Sequence, residues 1–162
     1  MSSDAPASEQ PVASPPCGVD DPRIRTFGLL LEAHARLTAL LDADLRASDG
    51  ITLQTFEVLL RISRGEGGQV TMSELANAVS LTTGGVTRLA DRLERDGLVE
   101  RRSCPTDRRV VHLSLTAAGH GTLARALEQH LDNLEDRVVS RVDPDALAVV
   151  DTVLDELRQP QD

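Results

Sequence analysis

Between residues 82 and 116 the polar side chains are mostly arginines and small hydroxyls, interspersed with glycines, in a spacing that places them on surfaces. Gly84, Thr87, Arg88, Asp91 and Arg95 lie opposite Val86, Leu89, Ala90 and Leu93, the period expected of an amphipathic helix, with Thr82 as its cap and Thr83 in its exposed first turn. Hydroxyls and unpaired N–H groups in a first helical turn can donate to phosphate oxygens. Small residues let a helix sink into a major groove roughly 12 Å wide, where Arg88 can donate to guanine O6 and N7 or to a phosphate. A second group, Arg101, Arg102, Asp107, Arg108 and Arg109, falls in and between two stretches of strand-like alternation. A helix followed by a β-ribbon, with basic groups along both, has the chemistry to meet a nucleic acid duplex.

The whole chain of 162 residues has a formal net charge of −9, which argues against a generally basic surface. The distribution matters more than the sum. From residue 82 to residue 112 there are seven Arg and five acids, a local +2, which leaves −11 for the rest. The last 31 residues hold nine acids and three Arg. There is no Lys, so every side-chain cation apart from a charged His is Arg.

No glycine-rich phosphate loop, Ser/His/Asp or Cys/His arrangement or metal-ligand spacing is present, so neither an enzyme nor a cofactor is expected. His112, His120 and His130 lack the i, i+4 pairing of a helix-borne metal site, and no metal is expected. No apolar run is long enough to span a bilayer, and no signal peptide is evident, so a cytoplasmic protein without a membrane partner is expected.

These groups need elements to position them. Residues 1–20 are rich in Ser, Ala, Pro and acid and read as a disordered tail. A long helix follows Asp21-Pro22 and stops at Gly50, with a stripe of Ile24, Phe27, Leu31, His34, Leu37, Leu41 and Leu45. Thr52 caps a second helix that reaches residue 64, and Gly65, Gly67 and Gly68 read as a flexible link. Thr71 and Glu74 form a capping box for a short third helix through Val79. Ser80-Leu81 is the turn, and Thr82 caps the fourth helix, which stops at Gly97. Two strands follow, at residues 98–102 and 110–115, joined by a polar hairpin tip. Thr116 caps a helix to about residue 140, and Asp143-Pro144 starts the last one, with the stripe Leu147, Val150, Leu154 and Leu157.

The expected fold is mainly α with a small antiparallel β wing: a winged helix-turn-helix flanked by N- and C-terminal helices. The expected organisation is a tail at 1–20, dimerisation helices at 21–50 and 116–158, a DNA-binding lobe at 51–115 and a short tail at 159–162. The outer helices carry apolar stripes that one small lobe cannot cover. A second copy of the chain is the economical partner, and a twofold dimer matches a pseudo-palindromic operator.

The run from Asp107 to Thr116 resembles the wing signature of the multiple antibiotic resistance regulator (MarR) family, with Asp107, Arg109, Leu115 and Thr116 at its fixed positions. The stretch from Leu93 to Val99 is similar to the end of that family's recognition helix. The resemblance implies a homodimeric repressor on double-stranded operator DNA, with Arg109 in the minor groove and held by an Asp107–Arg109 ion pair. It also implies release by a small aromatic or lipophilic effector bound between the dimer helices and the DNA-binding lobe. His34 is the polar group on the first helix that such a pocket would offer, although an isolated His on an apolar face also serves simply as a core or interface residue. Arg101, Arg102 and Arg108 read as phosphate contacts or solvated charge. Two other readings stay open: a winged-helix protein-interaction module without DNA binding, and a thiol-based redox sensor. Of the two cysteines, Cys17 and Cys104, only Cys104 lies beside wing arginines that would lower its pKa.

Overall fold

The computed structural model describes residues 18–79, 83–103 and 110–159. The helices are α1 (Pro22–Asp49), α2 (Leu53–Arg64), α3 (Met72–Ala78), α4 (Thr83–Arg95), α5 (Ala117–Arg137) and α6 (Pro144–Arg158). The strands are β1 (Gln69–Thr71), β2 (Val99–Ser103) and β3 (Val111–Leu115), in one antiparallel sheet of order β1-β3-β2. Mainly helical architecture with an antiparallel wing is therefore observed. The chain divides into two compact units, residues 1–36 and 37–162.

The glycine-rich link is a correction. Residues 66–68 form a single 3-10 turn and lead into β1, which pairs Val70 with Leu113 and Thr71 with His112. The wing sheet has three strands rather than two. Thr71 ends β1 and caps α3: its Oγ1 accepts from Glu74 N–H at 3.1 Å, and the Glu74 carboxylate accepts from Thr71 N–H at 2.7 Å. These backbone and hydroxyl donors hold the Glu74 carboxyl below its ordinary pKa.

Other boundaries follow local chemistry. Thr52 Oγ1 accepts from Thr55 N–H at 3.0 Å and starts α2. Gly97, at φ 71°, ends α4: its N–H donates to the Glu94 carbonyl, and Leu98 N–H donates to the Leu93 carbonyl. That pair is a Schellman motif, which needs a left-handed residue where glycine sits. Asp143 caps α6, with Pro144 at its first position. Helix α5 stops at Arg137, a turn earlier than its apolar stripe suggests, and residues 139–141 form a 3-10 turn.

The core of the larger unit is aliphatic. Leu41, Leu45, Leu59, Ile62, Leu75, Leu93, Val99, Leu113, Leu115, Leu123 and Ala126 form one buried cluster with Phe56. His130 joins them, its ring 4.5 Å from that of Phe56 and its Nδ1 buried without a hydrogen-bond partner. Burial holds the His130 pKa below its ordinary value. Arg137 fastens α5 to the C-terminal part of α1 through two hydrogen bonds of 2.7 Å to Asp44. In contrast, Val150 and Leu154 on α6 are each 45% exposed. In the smaller unit Ile24, Phe27 and Leu31 are also exposed.

Candidate nucleic-acid interface

Helix α4 separates its two faces cleanly. Val86, Leu89, Ala90 and Leu93 are buried, while Gly84, Thr87, Arg88, Asp91, Glu94 and Arg95 are exposed. Thr83 opens the helix. A Cβ built on Gly84 meets nothing within 4 Å, so its absence leaves open space on the outer face. Among the described residues Arg88 and Arg95 form no ion pair, so none of these holds their guanidinium groups back from an outside acceptor.

The wing begins on the same surface. Strand alternation puts Val99 and Arg101 on the sheet face that carries Leu113 and Leu115, with Arg101 opposite Leu113 and Val99 opposite Leu115. Arg101 therefore leaves the rim of the core and reaches α4. Its Nη2 lies 2.6 Å from Asp91 Oδ1, and its Nη1 lies 2.6 Å from Glu94 Oε2. The Arg101 side chain is only 27% exposed. Arg102 lies on the other sheet face, where it pairs with Glu100 and remains 68% exposed. Ser114 Oγ donates to the same Glu100 at 3.3 Å.

Thr116 joins the root of the wing to α5. Its Oγ1 donates to the Gly97 carbonyl at 2.6 Å and accepts from Gly119 N–H at 3.0 Å, while its backbone N–H donates to the Leu98 carbonyl at 3.1 Å. Gly119 is buried against that carbonyl. The sequence indicates Thr116 as a cap. Its second bond, back to residue 97, depends on the hairpin returning β3 beside the start of β2.

Of the residues singled out by type and spacing, Gly84, Thr87, Arg88 and Arg95 share α4 with the carboxylates that Arg101 of β2 reaches, while Arg102 lies on the opposite face of the sheet. Thr82, Cys104, Asp107, Arg108 and Arg109 lie outside the described residues, as does Cys17. His34 is exposed on α1. Sequence reasoning missed Glu94 as a partner of Arg101. No local pattern signals it: the acid ends a helix, the base stands third in the following strand, and seven residues separate them. An open cleft of about 390 Å³ lies between α2, α3 and β1, lined by Leu60, Arg61, Arg64, Val70 and Leu75, among others. Among the described residues no group of three or more His, Cys, Asp or Glu is arranged to hold a metal. Among them, too, no helix is long and apolar enough to cross a membrane.

Comparison with known proteins agrees with this geometry. The sequence profile of the MarR family matches residues 49–110, which run from the end of α1 to the start of β3. AbsC, a MarR family transcriptional regulator from Streptomyces coelicolor, superposes with a TM-score of 0.79 at 27% identity, over 86% of this chain and 93% of AbsC. In sequence profile and in fold the chain resembles the MarR family of transcriptional regulators. A mutant MarR from E. coli, crystallised with operator DNA, superposes with a TM-score of 0.74 at 28% identity, over 85% of this chain and 96% of that one. The transcriptional repressor MprA of Escherichia coli (strain K12) is 38% identical over 80 residues, 49% of this chain. The match spans 46% of MprA, about half the length of that relative. The resemblance is to a family of transcriptional regulators rather than enzymes.

Proposed function

We propose that this chain is a homodimeric, sequence-specific DNA-binding repressor of the MarR family, acting on a pseudo-palindromic operator. Helix α4 enters the major groove of each half-site, and the wing follows the adjoining backbone, with Arg109 in the minor groove. The observation that carries this reading is the outer face of α4. It is open at Gly84 and offers the guanidinium groups of Arg88 and Arg95 with no ion-pair partner among the described residues, while the opposite face is wholly buried. The E. coli MarR crystallised with operator DNA supports the same use of this fold. The exposed apolar residues of α1 and α6 support pairing of two chains through those helices, at 21–50 and 116–158. Release follows binding of a small aromatic or lipophilic effector, in a cytoplasmic setting.

The test is Arg88→Ala. An Arg that reads a base contributes about 1–3 kcal/mol, so specific affinity falls roughly five- to 150-fold while affinity for random duplex changes much less. Equal loss on both DNAs makes Arg88 a phosphate ligand, and no loss on either removes α4 from the interface.

A further inference from the structure

We propose that Arg101 is a positioning residue that clamps the wing to the recognition helix, rather than a ligand for the DNA backbone. The proposal rests on the DNA-binding reading and adds to it the device that fixes the angle between its two reading elements.

Geometry carries the inference. Each terminal nitrogen of Arg101 donates to a different carboxylate of α4, at 2.6 Å to Asp91 and 2.6 Å to Glu94. Those acids are one turn apart, so a planar guanidinium can span them both. Arg101 stands at the third position of β2, directly opposite Leu113, whose side chain is fully buried. Its backbone is therefore fixed by the sheet, and its head is fixed by the helix. The Arg101 side chain is 27% exposed, against 49% for Asp91 and 42% for Glu94, so the guanidinium is the shielded end of a bridge whose carboxylates face solvent. No other ion pair among the described residues joins the sheet to α4.

Charge points the same way. Asp91 and Glu94 lie beside the exposed arginines of α4, where two carboxylates would repel a phosphate backbone. Arg101 offsets one of those two charges. With its terminal nitrogens already donating to carboxylates, it has little to offer a phosphate. Arg88, Arg92 and Arg95 are exposed on α4 and have no such partner among the described residues, which leaves them to meet DNA.

Two variants approach the bridge from opposite sides: Arg101→Gln and the double substitution Asp91→Asn/Glu94→Gln. The DNAs are a duplex selected by the wild-type chain from a random pool and an unselected duplex, titrated at several salt concentrations. Amide hydrogen exchange of β2 and β3 is followed without DNA. A clamp predicts that both variants raise exchange in β2 and β3. It also predicts that both lower the selected-to-random affinity ratio about tenfold, within the range found for coupled neighbours. The slope of log K against log[salt] stays that of the wild type in Arg101→Gln. A phosphate ligand predicts instead that Arg101→Gln weakens both DNAs alike, with a slope smaller by about 0.9 and exchange unchanged. That result overturns the proposal, as does unchanged exchange in both variants. If the wild type binds selected and random duplexes alike, the DNA-binding reading fails, and the exchange arm still shows whether the bridge couples sheet to helix.

Discussion

Gly119→Ala should loosen the joint between the wing and α5, and the structure sets the size of the effect. A Cβ at residue 119 would lie 2.0 Å from the Leu98 carbonyl oxygen and 3.0 Å from its carbon, where ordinary contact begins near 3.4 Å. The shortfall of about 1.4 Å falls on backbone, so no flexible side chain can absorb it. Either α5 or the start of β2 must move. The bonds at risk are Thr116 N–H to the Leu98 carbonyl, 3.1 Å, and Thr116 Oγ1–H to the Gly97 carbonyl, 2.6 Å. Each contributes about 0.5–1.5 kcal/mol. Overpacking of a tight site adds about 1–3 kcal/mol, and the better helix propensity of Ala returns up to about 1 kcal/mol. The net expectation is a loss of about 2–4 kcal/mol, or a fall in Tm of roughly 5–15 °C at fixed protein concentration. Gly121→Ala is the control, because its Cβ meets only Arg125 Nη1, at 3.8 Å. It should be neutral or stabilising by up to about 1 kcal/mol. Thermal and urea unfolding of the two variants and the wild type decide the matter. Equal stability of Gly119→Ala and Gly121→Ala would refute the close approach of α5 to Leu98.

Three further expectations follow from other parts of the molecule. Gly84→Leu places a side chain in open space on the outer face of α4; unfolding should show undiminished stability, while operator affinity falls at least about tenfold if that face enters the groove. Val150→Glu combined with Leu154→Glu puts charge on the exposed apolar face of α6; sedimentation should show monomers, and a dimer that persists would move the interface elsewhere. His130, whose pKa is lowered by burial, makes stability fall with pH: below about 6.5 the unfolded chain takes up a proton that the folded one resists, so the loss grows until the folded pKa is reached. His130→Leu should flatten urea-derived stability between about pH 7 and 5.5, and an unchanged slope would assign the dependence to other groups.

Much of this was legible in residue spacing because the signals are local. The two-faced pattern of α4 lies within one helix, and so do the caps at Thr52, Thr71, Thr116 and Asp143. β1 was not legible for the opposite reason. Three residues next to glycines, ending in a helix cap, have no strand signature of their own, and Gln69–Thr71 becomes a strand only by pairing with β3, which is remote in sequence. The Arg101 bridge is hidden in the same way: its partners are seven and ten residues away across a helix end, a turn and a strand. No single periodicity relates them. His130 was recoverable, since it follows Leu123 by seven residues and Ala126 by four, both buried on α5. Its buried place follows from that stripe, and screening histidines only for metal-ligand spacing passes over it.

Whether the chain selects a DNA sequence decides most directly what α4 does. Selection from a random duplex pool by the full chain should enrich an inverted repeat with half-site centres about one helical turn apart, roughly 34 Å. The same selection with Arg88→Ala should relax the preference within each half-site while keeping the spacing. A pool that stays random, or identical preferences with and without the Arg88 guanidinium, would contradict the assignment of α4 as the reading element.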